Sequence, residues 1–281
     1  ILHEARKRYF NLVWLQQRKT LLEKRKEDAE KLLYLREEGF EGGEISKPEY
    51  DKARVYAIGI RTEWQKIHSD IQVQLQYLEH LTGGDPVDKL MYEYPADWEP
   101  PVLDRLLSDL PDNNPDLIIA QLKIRQSEKE IKHQRMNSLP SMEAGYKSEN
   151  ILDQKLRGIH TGISIPLWRD KNKVQFAKLQ YDWSETNYQQ KASEQRTKMV
   201  SLHNEVQILF DNYKQLQQIM SEEQLTDSYL QLLQAGQITF LEYVIETDFL
   251  ADNMEAYFLK ERDYYLKLSE LKMMYDASSF I

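Results

Sequence analysis

The sequence predicts a mainly α protein, built of duplicated long antiparallel coiled-coil hairpins with one short β-hairpin. Three observations predict it. The 10 glycines and 9 prolines among 281 residues are unevenly placed, with none in the 69 residues 167–235 and none in 1–38. Sandwiches, small barrels and doubly wound sheets need turn residues every ~8–15 positions, so they are excluded as the main architecture. Met199, Leu202, Val206, Leu209, Tyr213, Leu216 and Met220 alternate spacings of 3 and 4, the seam of a coiled coil. Period-two alternation, the mark of a strand, is confined to 141–166.

Composition narrows the function. Hydrophobic residues make up 41 % and charged residues 30 % of the chain, and the mean hydropathy is −0.68, as suits long helices packed in thin layers. No window approaches the ~18 consecutive apolar residues of a transmembrane helix. Lys and Arg number 37 against 46 Asp and Glu, a net charge of −9 with no basic stripe, which disfavours nucleic acid as a partner. There is no cysteine, hence no disulfide framework, thiolate metal site or cysteine nucleophile.

Residues 1–38 read as one helix, broken by Gly39, Gly42 and Gly43. A second helix starts at Ser46, with Glu49 placed to complete a capping box and Pro48 in the first turn, and ends at Thr82-Gly83-Gly84. Residues 1–82 thus form a helical hairpin. Six of the nine prolines lie between Pro86 and Pro115, so 83–113 is an irregular linker with a short helix near Val102–Leu110. Asn114-Pro115-Asp116 opens a helix over 114–137. In 141–166, Met142, Ala144, Tyr146 and Ser148 form one side of a strand, and Ile159, Thr161, Ile163 and Ile165 one side of the next. A half-buried sheet on a globular domain gives this pattern, and so does a barrel wall between lipid and water. Tyr146 and Trp168 are candidates for an interfacial aromatic girdle.

The gap without glycine or proline reads as a long helix, 168–235, stopped by Gly236. A last helix over 239–277 repeats the rhythm in Leu250, Met254, Tyr257, Tyr264, Leu268, Leu271 and Tyr275, with Glu261 as the one polar slot. The segment 114–281 therefore contains a helix, a β-hairpin and two long helices that should pack on each other.

The two hairpin turns match. Gly43-Glu44-Ile45-Ser46-Lys47-Pro48-Glu49-Tyr50 and Gly236-Gln237-Ile238-Thr239-Phe240-Leu241-Glu242-Tyr243 share G-x-I-[ST]-x-x-E-Y at an offset of 193 residues, which indicates an internal duplication.

In this order and at these lengths, several segments resemble the TolC-like family of outer-membrane efflux proteins. They are Asn114-Pro115-Asp116-Leu117, Leu139-Pro140-Ser141, Gly162-Ile163-Ser164-Ile165-Pro166-Leu167-Trp168, Leu233–Tyr243 and the closing Tyr264-Tyr265-Leu266 with Leu268-Ser269-Glu270-Leu271. The resemblance implies a passive duct subunit of a tripartite efflux or secretion system in the outer membrane of a Gram-negative bacterium, with most of the chain in the periplasm. It implies a homotrimer in the full-length protein, contact with outer-membrane lipid through the strands, and a periplasmic adaptor and inner-membrane pump as partners. Family members carry two full repeats. Residues 114–281 resemble a complete second repeat and 1–82 the lower part of a first, so the chain is expected to be a fragment of a longer protein.

The resemblance also assigns sites. The turns correspond to the periplasmic tips, so Gly43, Ile45, Ser46, Gly236, Ile238 and Thr239 are expected adaptor contacts. Glu242 falls where relatives carry an acid lining the entrance constriction, and Glu246 and Glu49 are further entrance candidates. A second constriction acid of the family falls on Ile245. A plainer reading of Glu242 and Glu49 is an acidic helix start favoured by the helix dipole.

The histidines 3, 68, 80, 133, 160 and 203 show no metal-ligand spacing, and the methionines fit core seams. No P-loop, dinucleotide fingerprint or nucleophile motif is present, so neither enzyme activity nor a cofactor or metal is expected. The rival readings are a periplasmic adaptor, which should show strands on both sides of a single hairpin, and a structural coiled coil, which leaves the strands and the repeated turn unexplained.

Overall fold

The computed structural model describes residues 2–87, 90–96, 98–151, 154–165, 171–220 and 225–275. Among them are helices α1 (Leu2–Glu41), α2 (Lys47–Leu81), α3 (Leu103–Asn113), α4 (Pro115–Asn137), α5 (Lys171–Met220), α6 (Leu225–Gln234) and α7 (Phe240–Tyr275), and strands β1 (Ser141–Ile151) and β2 (Gln154–Ser164). The mainly α class with a single β-hairpin is as expected. The helix expected over 168–235 is described as α5 and α6, because 166–170 and 221–224 lie outside the described residues, as does the girdle candidate Trp168. No described helix is long and apolar enough to cross a membrane.

The chain forms two compact units. One comprises the residues up to Leu103 together with Val200–Met274; the other is centred on Asp104–Met199. In the first unit α1 lies between α2 and α7, and each side of it has its own bonding. Toward α2 it buries Leu12, Leu15 and Leu22 against Ile67, Ile71 and Leu78, and nearer the turn Ala29 against Ala57 and Ile60. Each fully buried leucine or isoleucine contributes about 1.5–3 kcal/mol. Toward α7, Arg18 pairs with Glu255 at 2.8 Å, and Arg25 with Asp248. Leu32 then packs on Tyr243 and on Leu233 of α6. Arg18, Arg25 and Leu32 are seven residues apart, one heptad each, so they fall on one face of α1.

The C-terminal part of α5 runs antiparallel to α7. Tyr213 stacks on Tyr257 and Tyr264, with centroids 5.8 and 5.7 Å apart, and Lys267 meets Glu205 at 3.2 Å. Of the expected seams, Leu202, Val206 and Tyr213 on α5 and Tyr264, Leu268 and Leu271 on α7 are buried, whereas Leu209, Leu216, Leu250, Met254 and Tyr257 are half-buried. The proline-rich linker is pinned to this unit by aromatic rings. The Tyr94 ring stacks on Tyr265 at 4.4 Å, Trp98 sits edge-on to Phe10 at 5.8 Å, and the Tyr264 hydroxyl donates to the Trp98 carbonyl at 2.5 Å.

In the second unit Asn114 caps α4, its Oδ1 accepting from the amides of Asp116 and Leu117 at 3.0 and 3.2 Å, with Pro115 in the first turn. Helix α4 meets α5 through small side chains. Ser127 and Ser184 share a buried hydrogen bond of 3.1 Å, and Ala120 and Ala177 are also buried. Strands β1 and β2 pair antiparallel with Met142 opposite Ile163, Ala144 opposite Thr161 and Tyr146 opposite Ile159 on one face, and Glu143, Gly145 and Lys147 opposite Gly162, His160 and Gly158 on the other. The apolar face is open, Met142 being 81 % and Ile159 82 % exposed. Of the two readings of the alternation, the half-buried sheet does not hold among the described residues. On the polar face the His160 ring lies across Gly145, where a side chain would collide with it.

Candidate functional site: the two hairpin turns

The repeated octapeptide folds the same way twice. At the end of α1 the amide of Gly43 donates to the Phe40 carbonyl at 3.1 Å, and that of Glu44 to the Gly39 carbonyl at 2.8 Å. At the end of α6 the amide of Gly236 donates to Leu233 at 3.0 Å and that of Gln237 to Leu232 at 2.9 Å. Each donor and each acceptor is displaced by the same 193 residues. This is a Schellman closure, which requires a left-handed residue, and Gly43 (φ 76°) and Gly236 (φ 68°) supply it.

The next helices then start alike. The Glu49 carboxylate accepts from the Ser46 amide at 3.0 Å and hydroxyl at 2.8 Å. The Glu242 carboxylate accepts from the Thr239 amide at 2.7 Å and hydroxyl at 2.8 Å, and Thr239 Oγ1 accepts from the Glu242 amide at 3.2 Å. These bonds hold both exposed carboxyls below the usual range; the Ser46 hydroxyl is the leading cause for Glu49 and the Thr239 amide for Glu242. The motif tyrosine completes each turn: Tyr50 stacks on Phe40 at 5.3 Å, and the buried Tyr243 packs against Leu233, the counterpart of Phe40.

The expected tip contacts thus divide in two. Gly43, Ser46, Gly236 and Thr239 are exposed, whereas Ile45 and Ile238 are half-buried. Ile45 lies directly over the backbone of Gly39, and Ile238 joins the cluster of Leu32, Leu233 and Tyr243. Both isoleucines therefore hold the turn closed from inside.

Charge distinguishes the turns. The stretch 240–259 at the start of α7 carries Glu242, Glu246, Asp248, Asp252 and Glu255 and no lysine or arginine, while Lys47, Lys52 and Arg54 surround Glu49. Glu246 is exposed and accepts from the Tyr229 hydroxyl at 3.5 Å. Asp248 is turned inward to Arg25; burial raises its carboxyl, against the lowering effect of the guanidinium. Ile245 is exposed between Leu241 and Phe249 in an apolar row at i, i+4, i+8. The structure thus sets exposed acids and an exposed apolar row side by side on the first turns of α7. The ladder of Arg18 and Arg25 to Glu255 and Asp248 was missed by sequence reasoning; its signal was the heptad spacing of arginines on α1 and acids on α7.

No family model matches the chain, and no curated protein sequence does. Solved structures do. CusC, described for its folding and transmembrane channel formation, matches with a TM-score of 0.77 at 15 % identity, over 97 % of this chain and 67 % of that one. The Campylobacter jejuni outer membrane channel CmeC matches with a TM-score of 0.71 at 16 % identity, over 98 % and 62 %. The Vibrio cholerae outer membrane protein VceC matches with a TM-score of 0.74 at 16 % identity, over 96 % and 69 %. The chain thus spans about two thirds of the length of each. It has the fold of CusC, CmeC and VceC, the architecture its sequence motifs resemble.

Proposed function

We propose that the chain is the larger part of a passive outer-membrane duct, the exit channel of a tripartite efflux or secretion system in a Gram-negative bacterium. The observation that carries this reading is the β-hairpin, whose apolar face is open and whose opposite face is polar. Two strands leave unpaired edges, which hydrocarbon does not tolerate, so strands of other segments or copies must close the sheet into a barrel. Closure by three copies fits the resemblance. The helices then lie in the periplasm and the strands in the lipid, and the duct supplies a path with no chemical step.

The two turns are the ends that meet a periplasmic adaptor, through Gly43, Ser46, Gly236 and Thr239 with Ile45 and Ile238 fixing their shape. An inner-membrane pump supplies the energy. Glu242 and Glu246, with Glu49 less directly, line the entrance on the acidic start of α7, where ionised carboxylates repeated around an axis attract cations. Conductance of the full-length protein in a planar bilayer tests the reading. Glu242→Gln should lower cation selectivity and weaken block by multivalent cations. Unchanged selectivity and block remove Glu242 from the entrance.

A further inference from the structure

Glu261 is the one charged side chain among the described residues that is buried, at 7 % exposed. It occupies the slot in α7 that the rhythm of Tyr257, Tyr264 and Leu268 reserves for an apolar residue, and its carboxylate joins three helices. From α1, Gln17 Nε2 donates to it at 2.7 Å. From α5, the Tyr213 hydroxyl lies beside it, accepting from Gln217 Nε2 at 3.1 Å. Tyr257 and Tyr265 of α7 itself and Tyr94 of the linker also face it.

The charges nearby are otherwise engaged. Arg18 of α1 is paired with Glu255 at 2.8 Å. Arg262 of α7 is paired with Asp263 at 2.7 Å and lies over Trp14. Lys214 of α5 donates to Gln217 Oε1 at 3.1 Å and acts on Glu261 only through the longer-range field. Among the described residues no cation forms an ion pair with Glu261. A buried carboxylate without a counter-ion is costly in its charged form and much less so when protonated. The joint also has an acceptor for the proton: Gln17 Oε1 is buried and unpartnered, and turning that amide over presents it to a protonated Glu261.

We propose that Glu261 is a proton-operated latch, whose protonation locks α1, α5 and α7 together and whose ionisation loosens their joint. Burial is the largest influence on this carboxyl and raises it above its ordinary value of 4.5, against smaller lowering by Gln17, Tyr213 and Lys214. A carboxyl raised on folding gives stability that is complete below the unfolded value and lost as pH rises through the folded one. The latch is therefore tight in acid and slack in alkali. The inference rests on packing within one unit and stands apart from the channel reading.

The test is urea unfolding of the chain from about pH 5 to about pH 8, with hydrogen exchange of the peptides around 210–218 and 255–268, for wild type, Glu261→Gln and Tyr213→Phe. In wild type this group should raise the unfolding constant by up to about tenfold per pH unit between its unfolded and folded values, and exchange should speed up in both peptides. Glu261→Gln, which resembles the neutral acid, should remove that rise, matching wild type at the acid end and exceeding its stability at the alkaline end. Tyr213→Phe, which removes the hydroxyl that lowers the carboxyl, should move the midpoint to higher pH. A Glu261→Gln profile parallel to wild type, lower stability of that variant at the alkaline end, failure of it to fold, or an unmoved or lowered midpoint in Tyr213→Phe would overturn the proposal.

Discussion

Replacing Gly236 by alanine isolates the turn on which the duplicated architecture depends. Gly236 has φ 68°, and a Cβ added there meets no atom within 4 Å. The change therefore costs conformational energy alone. Left-handed backbone costs an alanine about 1–2 kcal/mol, and the stiffer unfolded chain returns about 0.4–1 kcal/mol. The net destabilisation is about 1 kcal/mol, roughly a fivefold rise in the unfolding constant. Gly43, with φ 76° and the same open surroundings, should show an equal loss. Gly59 is the internal control, because it lies inside α2 with nothing within 4 Å of an added Cβ. There alanine should stabilise by about 0.5–1 kcal/mol. Equilibrium urea unfolding followed by circular dichroism reads all three. Stabilisation by Gly236→Ala, or destabilisation by Gly59→Ala, would refute the reasoning.

Other changes test the packing and the turns. Leu268→Ala, at a fully buried seam position of α7, should cost about 2–5 kcal/mol in the same assay; a loss below 1 kcal/mol would show that the seam is not packed. Ser127→Ala removes the buried bond to Ser184 and should cost about 0.5–1.5 kcal/mol, whereas Ser127→Leu should cost more, by forcing α4 and α5 apart. Asp248→Asn should change stability by less than about 1 kcal/mol, because the burial that raises its carboxyl opposes the screened, half-exposed pair with Arg25, and added salt should shrink the difference. At the turns the sign with pH is opposite to that of Glu261. Glu49 and Glu242 are depressed on folding, so their stabilisation is present above 4.5 and lost as pH falls through the folded values. Hydrogen exchange at the first turns of α2 and α7 should quicken in acid, and Glu242→Gln should remove that dependence at α7 only.

The helix ends were legible in the sequence because each is written in local chemistry. Gly43 and Gly236 at left-handed positions, Asn114 before Pro115, and Ser46 and Thr239 three residues before a glutamate act within one turn of the chain. The strand alternation was equally local, and the register keeps Met142, Tyr146, Ile159 and Ile163 on one face. The placement of α1 was not legible. A helix buried toward α2 through Leu12, Leu15 and Leu22, toward the linker through Phe10 and toward α7 through Arg25 and Leu32 has no single apolar stripe, so its periodicity is smeared. The pairs Arg18–Glu255 and Arg25–Asp248 join residues more than two hundred positions apart, and no local rule selects them. At the tips, sequence identified the motif but not that Ile45 and Ile238 turn inward, which depends on what packs beneath each turn.

The central claim is that this fold serves as a duct through the outer membrane. Single-channel recording of the full-length protein in a planar bilayer tests it most directly. The account predicts a stable, cation-preferring conductance that falls in selectivity with Glu242→Gln and is lost when the apolar strand face is made charged by Ile159→Lys with Ile163→Lys. A full-length protein that folds, inserts and conducts no ions, or one that never enters the bilayer, would contradict it.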